Sequence, residues 1–117
     1  LSRDMTGHFH ADALVNGTHV RFMVDTGASD VALSTADAER IGIDLSTLRY
    51  TIPYNTANGV IHAAAITLKE VKVGGIALRD VDASVSRGGL DRSLLGMSFL
   101  GRLDSFEVRG ERLMLRY

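Results

Sequence analysis

Apolar residues at Phe9, Ala11, Ala13 and Val15 alternate with polar or small ones, and after Asn16-Gly17 the alternation resumes at Val20, Phe22 and Val24. Period-two spacing marks half-buried strands, and Asn-Gly supplies the positive φ values of a tight type I′ turn, so this stretch predicts a β-hairpin. A second hairpin is predicted around Gly74-Gly75, from Val71 and Val73 across to Ile76 and Leu78, running on through Val81, Ala83 and Val85. Ile66 and Leu68 are even-numbered whereas Val71 and Val73 are odd, so the alternation slips near Lys69-Glu70, where a bulge or sharp bend is expected. The tail alternates Phe106 and Val108, turns at Arg109-Gly110, and resumes at Leu113 and Leu115 as a third hairpin.

Helical signals are short. Ser34 is an N-cap candidate before Ala36, Asp37, Ala38, Glu39, Arg40 and Ile41, and Gly42 supplies a stop. A second short helix is predicted over 97–103, after Leu94-Leu95-Gly96. Strand signals dominate elsewhere and Pro53 is the single proline. The expected fold class is therefore all-β, a small closed barrel or sandwich with one or two short helices. The stretches ADALVNGTHVRFMVDTG and LKEVKVGGIALRDVDA echo each other as strand, turn, strand, which is compatible with a duplicated half-barrel.

Composition narrows this picture. A chain of 117 residues has room for one domain with one core, so residues 1–117 are read as a single unit. Hydrophobic residues at 45%, charged residues at 23% and a net charge of −1 exclude a disordered tail and a strongly basic nucleic-acid binder. With no cysteine there is no disulfide framework, thiolate metal site or thiol nucleophile. No apolar run reaches the ~18 residues needed to span a bilayer. Because the chain starts at Leu1 rather than Met, it is expected to be a soluble fragment or a processed form, with any anchor upstream.

The candidate chemistry lies at Met23-Val24-Asp25-Thr26-Gly27-Ala28-Ser29. An aspartate that ends an apolar strand is delivered to the edge of the core, where desolvation works against its charge. Thr26 and Ser29 add hydroxyls, Gly27 permits close backbone approach, and Ala28 leaves space for a ligand. On its own, Asp-Thr-Gly reads equally as a turn. His8, His10 and His19 are read as solvated strand residues, and no metal or other cofactor is expected. Arg87-Gly88-Gly89-Leu90-Asp91-Arg92 lacks a phosphate-loop ending and reads as a surface loop.

In context, Asp25-Thr26-Gly27-Ala28-Ser29 followed by Val31 and Leu33, with Leu94-Leu95-Gly96 far downstream and Thr56-Ala57-Asn58-Gly59 between, resembles the retropepsin-like aspartic protease family, most closely its bacterial branch. The resemblance runs from His8 to about Leu103. It implies that Asp25 is the catalytic aspartate, that Thr26 braces paired active-site loops, and that Gly27 lines the cleft, with Ala28 and Ser29 completing the loop. It further implies that Asn58 and Gly59, continued by Val60, form a hairpin flap over substrate, and that Leu94, Leu95 and Gly96 cross beneath the loop as its support. The tail continues through Phe106 to Tyr117, beyond the viral pattern, which leaves the dimer interface open.

The implied activity is aspartic endopeptidase hydrolysis of a peptide or protein substrate, which needs two carboxylates sharing a proton. No other aspartate here precedes Thr-Gly or Ser-Gly, so the second carboxylate is expected from Asp25 of another copy, in a homodimer. Val31, Ile52, Val60 and Ile61 are candidate pocket walls, with core residence as the alternative for each. The resemblance also implies a periplasmic domain, tethered to the inner membrane outside this chain. The competing expectations are a catalytically silent or partner-dependent peptide-binding module of the same fold, and an unrelated β-barrel for a small ligand.

Overall fold

The computed structural model describes residues 8–56, 59–88 and 90–117. The first predicted hairpin forms from β1 (His10–Val15) and β2 (Thr18–Val24), with Asn16 and Gly17 both at positive φ in the turn. Chain order continues through β3 (Val31–Leu33), α1 (Thr35–Arg40), a single 3₁₀ turn (Leu45–Thr47), β4 (Ile52–Thr56) and the long pair β5 (Gly59–Val73) and β6 (Ile76–Ser86). It ends with β7 (Ser93–Leu95), α2 (Met97–Leu100) and the hairpin β8 (Ser105–Arg109) with β9 (Arg112–Arg116). The second helix is shorter than the pattern predicts, because Gly101 and the turn after it replace helix before Leu103 is reached.

The sheet order is β1-β2-β7-β3-β6-β5-β4, and β1 also pairs with β5, so six strands close on themselves and β4 hangs from β5. This is the predicted all-β barrel. Closure depends on β5 changing partners along its length. Its N-terminal part pairs with β4, and its C-terminal part pairs with β1 through Ala13 to Val73 and Val15 to Val71. The switch falls where parity slips. The β5–β6 register runs from Leu68 opposite Val81 to Glu70 opposite Arg79 with no inserted residue, and Asp80 between them adopts φ 53°. The slip is thus a bend rather than an extra residue, and Asn16 clamps it: its N–H donates to the Glu70 carbonyl at 2.9 Å while its side-chain oxygen accepts from Glu70 N–H at 3.1 Å.

Inward residues of the strands make one core: Val15, Val20 and Phe22 from the first hairpin, Val31 and Leu33 from β3, Leu68 and Val71 from β5, Val81 and Val85 from β6, and Phe99 and Leu100 from α2. Full burial of each large side chain stabilises the fold by about 1.5–3 kcal/mol. Val31 is fully buried among these residues, so it is core and not a pocket wall.

The crossing beneath the loop 25–30 is the tightest place in the fold. β7 runs parallel to β2, with Val24 opposite Leu95, and antiparallel to β3, with Ala32 opposite Leu94. At Gly96 the backbone has φ −103° and ψ −164°, which any residue can adopt, so glycine is required there by space. A Cβ at this position would lie 2.1 Å from the Asp30 carbonyl oxygen and 2.6 Å from that of Ala28. Since neither backbone atom can retreat cheaply, Gly96→Ala should destabilise the fold by about 3 kcal/mol or more, at or above the upper end of overpacking costs. Gly75→Ala, with nothing within 4 Å of its Cβ, should stay within about 0.5 kcal/mol of the parent. Urea denaturation of the two variants checks the contrast.

Candidate active site

Asp25 follows the last residue of β2, and its backbone is fixed before its side chain is considered. Its N–H donates to the Leu95 carbonyl at 3.1 Å, which extends the β2–β7 pairing by one residue. Its own carbonyl accepts from Ala28 N–H at 3.1 Å, closing the loop into a turn. The carboxylate then folds back over that turn, where Oδ1 accepts from Gly27 N–H at 2.9 Å. Gly27 eases this approach, because a Cβ there would sit 3.2 Å from the same oxygen and push the carboxylate aside by a few tenths of an ångström. The far side of the loop is tied down by Met97 N–H, which donates to the Ala28 carbonyl at 2.8 Å. Asp25 is therefore a half-buried carboxylate on a loop held from below at Asp25 and at Ala28.

A cleft of about 260 Å³ opens above it. Asp25, Gly27, Ala28 and Ser29 form its floor, Ala32, Ser84 and Ser86 line the side given by β3 and β6, and Tyr54, Asn55, Ile61 and Ala63 come from the β4–β5 hairpin. Leu94 and Leu90 complete it, so the glycine-containing loop before β7 contributes a wall as well as surface. Of the proposed pocket residues, Ile61 lines the cleft and Val60 stands 56% exposed on the hairpin that overhangs it. Ile52 is half-buried and outside the lining. Gly59 begins β5 at φ 114°, a conformation open to glycine and costly for other residues. Asn58, the other predicted flap residue, lies outside the described residues. Thr26 is exposed beside Asp25 and Gly27 on the open face of the loop. Leu95 is core, and Gly96 is buried beneath the loop, as support residues must be.

Sequence patterns missed the polar wall. Asp30 shares the cleft with Asp25, and its Oδ2 accepts a long 3.4 Å hydrogen bond from the Tyr54 hydroxyl. Burial pushes the Asp30 carboxyl above its ordinary value, opposed by hydrogen bonds from Ser84 and Tyr54 and assisted by the negative charge of Asp82. Ser84 and Ser86 alternate with the core residues Ala83 and Val85 on the opposite face of β6 and are buried there against the cleft, so the regular apolar-polar alternation of this strand carried no signal of the wall.

Comparison with known proteins agrees with the geometry. The profile of the family described as gag-polyprotein putative aspartyl protease matches residues 11–102. An uncharacterized protein from the cobV 5′ region of a Sinorhizobium species is 44% identical over 99% of the chain, and one from Rickettsia prowazekii (strain Madrid E) is 45% identical over 100% of it. The chain spans 50% of the length of each of these relatives. Among solved structures, a retropepsin-like aspartic protease from Rickettsia conorii superposes with a TM-score of 0.89 at 45% identity, covering 98% of this chain and 94% of that one. The fold is shared at greater distance by EIAV protease complexed with the inhibitor HBY-793, with TM-score 0.73, 18% identity, and 93% and 100% of the two chains covered. It is shared also by the retroviral protease-like domain of Ddi1 from Leishmania major, with TM-score 0.67, 17% identity, and 92% and 87% covered.

The raised Asp30 carboxyl has a measurable consequence. Below the ordinary carboxylate pKa, folded and unfolded chains are both protonated there and Asp30 costs nothing. As pH rises through the folded-state value the native carboxylate must ionise where burial disfavours it, and stability is lost. Asp30→Asn removes that cost while keeping an oxygen for Tyr54. The variant's melting temperature should exceed the parent's near neutral pH, and the gain should shrink as pH falls toward about 3. Thermal melts of both proteins across that range check the sign.

Proposed function

The chain belongs to the retropepsin-like, gag-polyprotein type aspartyl protease family, and on that premise we propose that it is an aspartic endopeptidase whose active site is completed by a second copy of itself. The observation that carries the reading is the Asp25 loop: a half-buried carboxylate that accepts from Gly27 N–H, on a backbone whose Asp25 N–H donates to the Leu95 carbonyl, at the floor of a cleft. Amide hydrolysis at such a site divides two roles between two carboxylates. The ionised one takes a proton from water as its oxygen attacks the peptide carbonyl, and the protonated one donates to the carbonyl oxygen as negative charge develops there. Two carboxylates about 3 Å apart cannot both ionise, which keeps one proton between them through the working pH range.

A two-fold axis passing beside Thr26 and Gly27 would bring two Asp25 side chains together, and both residues are exposed on that face of the single chain. Substrate would lie extended between the loops and the overhanging β4–β5 hairpins, pairing its backbone with the hairpins and setting alternate side chains against residues such as Ile61, Ala63 and Leu94. On the same reading the domain works in the periplasm, tethered to the inner membrane by a segment outside these 117 residues.

Asp30 favours one rival, in which Asp25 and Asp30 of a single chain form the pair, since both line the same cleft. Tyr54 and Ser84 engage Asp30 on the wall, which supports the two-copy reading instead. Cleavage of a peptide library from acid to neutral pH, over a range of protein concentrations, separates them. Specific activity should rise with concentration, Asp25→Asn should reduce kcat/KM by at least about 100-fold, and excess Asp25→Asn chain added to dilute parent should suppress the parent's activity by forming hybrid dimers. Activity independent of concentration, abolished by Asp30→Asn and untouched by the added variant, would establish the one-chain pair. Absence of cleavage under every condition would leave a peptide-binding module. For the location, exposure of the full-length protein to externally added protease after outer-membrane permeabilisation should digest the domain, whereas protection until the inner membrane is lysed would place it in the cytoplasm.

A further inference from the structure

Ser93 is a fully buried hydroxyl immediately before Leu94-Leu95-Gly96, and nothing in the proposed chemistry uses it. Its surroundings are specific. The hydroxyl donates to Asp37 Oδ2 at 2.5 Å and accepts from Ser34 N–H at 3.0 Å. Ser34 caps α1, its own hydroxyl accepting from Asp37 N–H at 3.2 Å, so Asp37 is held through its backbone and its side chain at once. The other carboxylate oxygen of Asp37 accepts from Arg40 at 3.0 Å, and the second guanidinium nitrogen of Arg40 donates to the His19 carbonyl at 2.7 Å on β2. One chain of hydrogen bonds therefore links β7, the entry of α1 and the strand that delivers Asp25.

β7 is only three residues long, and its two ends do different work. At Leu95 it receives the Asp25 N–H; at Ser93 it pairs with Phe22 and meets Asp37. A strand this short has few backbone bonds to fix its position, so a charge-assisted hydrogen bond at its N-terminal end adds to what holds the Leu95 carbonyl beneath Asp25. We propose that Ser93, Asp37 and Ser34 form a polar lock that positions the Asp25 loop, so that these residues set catalytic rate without touching substrate. The proposal rests on the protease reading for its kinetic consequence and on the fold alone for its structural one.

The test uses Ser93→Ala, Asp37→Ala and Asp37→Asn, with Val71→Ala as a core control of fully buried volume on β5. Two quantities are read: kcat and KM on a cleaved peptide, and hydrogen exchange of the Asp25 amide by NMR. Ser93→Ala and Asp37→Ala should each speed exchange at Asp25 about tenfold, the equivalent of losing one charge-assisted hydrogen bond. They should lower kcat about tenfold while KM stays within about twofold. Asp37→Asn keeps an acceptor for the Ser93 hydroxyl and should recover most of both quantities. Val71→Ala should lower the melting temperature without changing kcat at temperatures where it is folded. Should Ser93→Ala fail to fold, the contrast between the two Asp37 variants carries the test. Unchanged exchange at Asp25 in Asp37→Ala, or an equal fall in kcat for Val71→Ala, would overturn the lock. If the parent cleaves nothing, the protease reading fails and the exchange data alone judge the lock.

Discussion

Everything at the site depends on one backbone contact, the passage of Leu95-Gly96 directly beneath the loop 25–30. Two hydrogen bonds and one packing contact use that passage: the Leu95 carbonyl accepts from Asp25 N–H, Met97 N–H donates to the Ala28 carbonyl, and Gly96 lies against the carbonyls of Ala28 and Asp30. A loop between two strands would ordinarily be among the least stable parts of a domain. Here its backbone groups are paired from below by a strand that arrives some distance later in the chain, so an exposed turn is given the rigidity of a sheet. That is the condition a catalytic carboxylate needs, since a displacement of about 1 Å costs large factors in rate.

The barrel exists to make that passage possible. β7 inserts between β2 and β3, so those two strands stand apart and the loop that joins them spans the inserted strand. α2 is pinned in the same way: the Ser98 hydroxyl accepts from Val31 N–H at 3.0 Å and donates to the Asp82 carbonyl at 2.6 Å, binding β3 and β6 to the helix that follows β7. Closure of β1 on the C-terminal part of β5 then covers two edges that a twisted sheet would otherwise present and leaves β4 as the edge strand. The apolar core supplies the gross stabilisation, and the buried Ser93 hydroxyl is placed within it with both a donor and an acceptor partner.

What the sequence disclosed and what it withheld divide along the distance between interacting residues. The Asn16-Gly17 hairpin, the Ser34 cap and the tail hairpin are local, each written within a few residues, and all were legible. The turn at Asp25 was legible because it too is local, with Gly27 N–H donating to the Asp25 carboxylate and Ala28 N–H to the Asp25 carbonyl. The parallel pairing of β7 with β2 was not, since a three-residue strand carries no usable periodicity. For the same reason Ser93 looked like any serine before an apolar pair, and the approach of Tyr54 to Asp30 left no trace in either segment. Gly96 is intermediate. A glycine after two leucines could be a helix stop or a spacer, and only the carbonyls packed against it show which.

The tail shows how the same physics limits a peripheral element. β8 and β9 form a separate two-stranded sheet, and such a ribbon is marginal by itself in water. It is held by one side only: Leu113 is buried and Phe106 and Leu115 pack on the main core, whereas Val108, opposite Leu113 on that same face, and Met114 on the other face are exposed. The hairpin therefore takes its orientation from the barrel rather than setting its own. Phe106 and Leu115 pack on the same core that Phe99 and Leu100 of α2 enter, and Met97 N–H at the start of α2 holds the Ala28 carbonyl, so the tail hairpin and the Asp25 loop are attached to one packed body.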